Sequence, residues 1–152
     1  MNANGTTRIL FEEDRTIFSD GRAPDVVLNV GATSIATRLF RHDPPTPGEI
    51  ERAIDEVEDA LAATGLKQTM RGDLEINDPD VSRRLGLVLA DERMTRQQIE
   101  SKFQRLASMS LGHPPAPGEP STGPMTSAVL LILRECMHHL GYEGLKQTAL
   151  HR

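Results

Sequence analysis

The chain has no tryptophan, one tyrosine and four phenylalanines. Platforms for stacking exposed bases are nearly missing, which argues against single-stranded nucleic acid as a partner. A lone cysteine, Cys136, excludes an internal disulfide and fits a reducing compartment. Long apolar runs are missing too. The longest, Ala128 to Leu133, falls far short of the roughly 20 residues a membrane helix needs. Met1 to Arg8 is polar and has no apolar leader core, so a cytoplasmic protein is expected. Positive charge is scarce: 17 Lys and Arg stand against 22 Asp and Glu, a net charge of −5. That balance argues against a general affinity for phosphate backbones, and no nucleic-acid partner is expected.

What is present suits one domain spanning 1–152, with 38% apolar and 26% charged residues. The expected class is α+β. Residues 8–40 read as an antiparallel meander of three or four strands. Arg8–Glu12 and Thr16–Phe18 flank a polar turn, Val26–Val30 forms a third strand, and Gly31-Ala32-Thr33 turns the chain into a fourth at Ser34–Phe40. Residues 47–64 then read as an acidic helix covering that sheet. Thr46 caps it, Pro47 takes the first helical position, Glu49 completes a capping box and Gly65 supplies a left-handed exit. Ile50, Ile54, Val57 and Leu61 form its apolar stripe.

Residues 79–140 read as a three-helix unit. Asp78 caps a helix from Pro79 to about Ala90, and Thr95 with Gln98 boxes a second running to about Met109. A Pro/Gly-rich loop follows at 112–123, then a helix over 125–140 that is apolar on most sides. Such a helix belongs at the centre of a core or in a subunit interface, so a homo-oligomer or a protein partner through 125–140 is expected. The tail from Gly141 reads as polar and frayed. One echo stands out: Gly65-Leu66-Lys67-Gln68-Thr69 recurs as Gly144-Leu145-Lys146-Gln147-Thr148, and Pro44–Glu49 is echoed by Pro114–Glu119. The unequal spacing excludes a regular repeat array, and coincidence is the favoured account.

Three places invite a chemical reading, each beside a plainer one. Gly31, Thr33 and Ser34 follow a strand as a phosphate loop would, since phosphate needs exposed backbone N–H groups and glycine permits close approach. One glycine with no following lysine is, however, more simply a turn. Cys136 and His139 lie three apart on one helix face and offer thiolate and imidazole to a metal such as zinc. A third and fourth ligand are lacking, and the plainer reading is a buried thiol near a helix end. Residues 79–109 can be read as helix-turn-helix, with Arg96, Gln97 and Lys102 on a recognition helix. Two consecutive amphipathic helices are common without DNA. The acidic residues of helix 47–64 read as a solvated face.

Gly31-Ala32, Ile35, Thr37-Arg38-Leu39-Phe40 and His42-Asp43-Pro44-Pro45-Thr46-Pro47-Gly48-Glu49 together resemble an internal segment of the exopolyphosphatase and guanosine pentaphosphate phosphatase family. The match covers about residues 31–61. The resemblance implies an actin-like ATPase fold in which this segment is structural. The chemistry there lies in two glycine-rich phosphate loops, Asp-Ile-Gly-x-Asn-Ser and Asp-Ile-Gly-Gly-Gly-Ser. Neither loop is present here, and Asn29 stands where a strand-end acid would be wanted. The expectation is a small non-catalytic binding or accessory protein, exopolyphosphatase-related, without a cofactor. The alternatives are a phosphate- or nucleotide-binding enzyme of that kind and a helix-turn-helix DNA-binding regulator.

Overall fold

Alternating short strands and capped helices assemble here around one six-stranded mixed sheet. The computed structural model describes residues 6–89, 91–114 and 123–148. In chain order the elements are β1 (Thr7–Phe11), β2 (Thr16–Ser19), β3 (Val26–Leu28), α1 (Ala32–Arg38), α2 (Pro47–Thr64), β4 (Arg71–Ile76), α3 (Pro79–Leu85), β5 (Arg93–Thr95), α4 (Arg96–Ser110), α5 (Gly123–Leu140) and β6 (Tyr142–Gln147). The class is α+β, as the sequence implies. Strand order is β3-β2-β1-β4-β6-β5. The β1-β2-β3 meander is antiparallel, β4 joins β1 in parallel, β6 joins β4 in parallel, and β5 closes the edge antiparallel to β6.

Two elements differ from their sequence reading. The expected fourth strand at Ser34–Phe40 is the helix α1. Ile35 and Leu39 are both buried, but positions four apart face inward in a helix and in a strand alike. Thr37, midway between them, is exposed, which only the helix permits. The expected frayed tail is instead β6, a central strand. Its partners decide this: Leu145 lies opposite Leu74 on one side and Met94 on the other, and all three are buried. The sheet is therefore mixed and not a purely antiparallel meander. β5 and β6 also interrupt and follow the helical unit, so residues 79–140 are not three helices alone.

The same pentapeptide thus has two fates. Gly65–Thr69 leaves α2 through a left-handed Gly65 (φ 73°) into an exposed loop, whereas Gly144–Gln147 is strand. Identical local propensity yields to tertiary context, and no structural repeat exists there. The proline-rich partner echo at 115–119 lies outside the described residues.

The caps form as the sequence specifies. The Thr46 side chain accepts from Glu49 N–H at 3.2 Å and the Glu49 carboxylate accepts from Thr46 N–H at 3.0 Å. Thr95 and Gln98 repeat the arrangement at 3.1 and 2.7 Å. Asp78 caps α3, which stops at Leu85 because Gly86 takes a left-handed exit (φ 83°). α5 is the centre of the core. Ala128 to Leu133 are all buried, and the helix contacts α1, α2, α3, α4 and β6. Its apolar composition is accounted for within the chain. No helix among the described residues is long and apolar enough to cross a membrane.

Candidate functional site

The first candidate lies where β1 and β2 meet α1. A tight acidic turn, Glu12-Glu13-Asp14-Arg15, joins the two strands and is closed by Glu12 N–H donating to Arg15 carbonyl at 2.9 Å. Arg15 also pairs with the Glu12 carboxylate at 2.6 Å. The turn rests on the start of α1, where Ser34 N–H donates to Glu13 carbonyl at 2.9 Å. A Cβ at Gly31 would stand 2.3 Å from that same oxygen and 2.5 Å from Asp14 Cα, so glycine is required by contact and not by its dihedrals. Thr33 Oγ1 faces Met125 Sδ at 4.0 Å. Gly31, Thr33 and Ser34 are thus brought together, but the turn already uses the Ser34 amide and lies against Gly31.

The second candidate is a charge network along α5. Arg134 donates to Glu100 of α4 at 2.9 Å and to neighbouring Glu135 at 2.5 Å, and its guanidinium lies 4.6 Å from the centre of the Phe103 ring. Glu135, only 1% exposed, also faces His139 Nε2 at 3.3 Å, and His139 meets Glu58 of α2 at 3.2 Å. Burial holds the Glu135 carboxyl above its ordinary value, with Glu58 adding to the rise and Arg134 opposing it. The Arg134 partnership holds Glu100 below its ordinary value, against a smaller opposing effect of burial. Ligand atoms of Glu58, Glu135 and His139 lie within 4.8 Å of one another, so a divalent cation has three donors in reach. Arg134 already supplies countercharge at that point, and the network ties α5 to α2 and α4.

Cys136 and His139 lie in different surroundings. Cys136 is fully buried in the core, where desolvation pushes its thiol far up, and His139 turns to the two carboxylates instead. Glu135 and His139 are four apart, a helical spacing visible in the sequence, but Glu58 reaches them only through the fold.

Between the two helices of the helix-turn-helix reading the structure places a strand. β5 separates α3 from α4 and belongs to the sheet, so no short turn joins the two helices. Arg96 and Gln97 line a polar cavity of about 520 Å³ with Glu100, Arg134 and His138. Lys102 lines a cavity shared by α3, α4 and α5, and it meets Gln97 in a third cavity beside Met94.

No protein-family model matches the sequence, and no curated protein does. Solved structures match in fold. The PPX-GPPA enzyme of Aquifex aeolicus superposes with a TM-score of 0.69 at 15% identity, over 97% of this chain and 54% of that one. An exopolyphosphatase from Cytophaga hutchinsonii gives 0.62 at 8% identity, over 98% and 54%. An exopolyphosphatase-like protein gives 0.61 at 13% identity, over 95% and 54%. The chain spans about half the length of these structures. The likeness thus extends well beyond the segment around residues 31–61. In fold, this chain corresponds to about half of a Ppx/GppA-type exopolyphosphatase.

Proposed function

We propose that this protein is a non-catalytic binding protein that uses half of the Ppx/GppA fold as a scaffold. The observation that carries this reading is the Glu12–Arg15 turn. A phosphate loop presents several free backbone N–H groups, usually on glycines, to a multiply charged anion. Here the turn has no glycine, three of its four residues are acidic, and the Glu12 amide is spent on Arg15 carbonyl. The Ser34 amide at the start of α1 is occupied by Glu13 carbonyl. An incoming phosphate would meet carboxylates and carbonyl oxygens where it needs donors.

One matched structure is named an exopolyphosphatase and another exopolyphosphatase-like, so polyphosphate is the substrate to test. Purified protein is incubated with polyphosphate and, separately, guanosine pentaphosphate, and released phosphate is measured with and without a divalent cation. The expected rate equals the buffer blank. Release above blank that tracks the protein through successive purification steps would refute the reading.

A further inference from the structure

α2 and α5 bring three metal-ligand side chains to one place. Glu135 and His139 stand four apart on α5 and so share a face, and Glu58 reaches the same point from α2. His139 Nε2 lies 3.2 Å from Glu58 Oε2 and 3.3 Å from Glu135 Oε1, and the ligand atoms of the three residues lie within 4.8 Å of one another. A metal ion bonded at about 2.0–2.2 Å holds neighbouring ligand atoms about 3.0–3.5 Å apart, so both nitrogen–oxygen distances already suit a shared ion.

Hydrogen bonding accounts for this convergence only in part. Nε2 carries at most one proton, so as a donor it satisfies one of the two oxygens and leaves the other facing nitrogen without a hydrogen between them. Glu135 is 1% exposed, and a carboxylate taken out of water needs compensation. Arg134 supplies some of it from the opposite side, through Oε2 at 2.5 Å, but it divides its charge with Glu100 at 2.9 Å. The guanidinium is itself held against Phe103, 4.6 Å from the ring centre. Glu135 is thus anchored by one oxygen and presents the other to His139 and Glu58. Metal-binding carboxylates are oriented in the same way, by a hydrogen bond to the oxygen that does not coordinate.

We infer that Glu58, Glu135 and His139 bind one zinc ion, through Glu58 Oε2, Glu135 Oε1 and His139 Nε2, with water completing the shell on the solvent side. Glu58 and His139 are both partly exposed, which gives the ion a way in. The imidazole decides the metal: zinc takes nitrogen and carboxylate oxygen together, whereas magnesium prefers oxygen alone and keeps its waters. Bound there, the ion joins α2 to α5. The inference goes beyond the non-catalytic reading and does not rest on it, since an ion linking two helices suits a binding protein and an enzyme alike.

The test is calorimetric titration of the whole chain, chelator-treated and dialysed, with zinc chloride and separately with magnesium chloride, followed by thermal melts. Zinc is expected to bind saturably at one ion per chain and to raise the melting temperature by roughly 5–10 °C at a hundredfold excess over Kd. Magnesium at the same concentration should do neither. E58Q and H139Q alter partly exposed side chains, so both should fold with unchanged circular dichroism, and each should weaken zinc by about tenfold or more. H138Q changes the neighbouring imidazole, whose ring lies 5.2 Å from that of His139 but outside the triad, and should bind zinc as the wild type does. Absence of saturable zinc binding at high micromolar concentration overturns the inference. Equal zinc affinity in wild type, E58Q and H139Q overturns it too, as does magnesium binding as tightly as zinc. Both readouts are independent of any reaction the protein does or does not catalyse.

Discussion

Replacing Gly31 with alanine puts the seating of the β1–β2 turn to a quantitative test. Gly31 has φ −130° and ψ 153°, which any residue adopts, so the substitution acts through contact alone. The added methyl would lie 2.3 Å from Glu13 carbonyl oxygen and 2.5 Å from Asp14 Cα and Glu13 carbonyl carbon. All three are backbone atoms, and none can swing aside as a side-chain tip would. Ordinary contact requires the turn to retreat by about 1 Å or more, given carbon–carbon optima near 3.5–4.0 Å. That retreat stretches the 2.9 Å bond from Ser34 N–H past hydrogen-bonding range. Overpacking costs about 1–3 kcal/mol, and the lost bond adds about 1 kcal/mol. The sum is about 2–4 kcal/mol. For a chain of this size that corresponds to a melting temperature lower by roughly 4–16 °C. Urea denaturation followed by circular dichroism gives the free energy directly. G48A is the control: the methyl meets nothing within 4 Å in the first turn of α2, and alanine should leave stability unchanged or raised by up to about 1 kcal/mol. A G31A protein within about 0.5 kcal/mol of wild type would refute the reasoning. The turn would then not be seated on α1, and the start of that helix would again be open to an anion.

Three further outcomes follow from the same contacts. E135Q keeps an acceptor for Arg134 but abolishes a carboxyl that burial holds above its ordinary value of 4.5. The folded state retains that proton where the unfolded chain has lost it, so this contribution is full below about pH 4.5 and is lost as pH rises through the folded value. Denaturation at about pH 4.5 and pH 7 should show the wild type losing ground to E135Q toward neutrality, and the opposite trend would refute it. T46A removes one side of the capping box of α2 and should cost about 1 kcal/mol, read as a lower urea midpoint with an unchanged slope. Cys136 should react with a thiol reagent only as fast as the protein unfolds, since burial excludes the reagent and raises the thiol's pKa; immediate labelling of the folded protein would contradict its placement.

The elements legible in the sequence are those whose determinants lie within a few residues of one another. Thr46, Pro47, Glu49 and Gly65 define both ends of α2 locally, and the fold has no reason to overrule them. β6 is the opposite case. Tyr142-Glu143-Gly144-Leu145-Lys146-Gln147 carries little strand propensity and owes its conformation to pairing with β4 and β5. Gly144 is part of that account, because the Arg93–Asp73 ion pair crosses the strand there and a Cβ would stand 2.6 Å from the guanidinium. The charge network shows the same divide. The Glu135–His139 spacing is a helical fact, whereas Glu58 and Glu100 arrive from helices whose positions depend on the whole core.

The basic residues of 79–109 show what shape adds to composition. Read along the sequence, residues 79–109 look like a helix-turn-helix with Arg96, Gln97 and Lys102 on its recognition helix. A recognition helix must project so that its first turn reaches into a groove. In the fold Arg96 and Gln97 line a polar cavity with Glu100 and Arg134, and Lys102 lines another with Arg83, Arg84 and Arg105. The distinction is measurable, because neutralising many phosphates gives a steep dependence of affinity on salt. Duplex DNA should therefore show no steep salt-dependent binding, and a steep loss of affinity between low and physiological salt would place the cations on an extended surface and not in cavities.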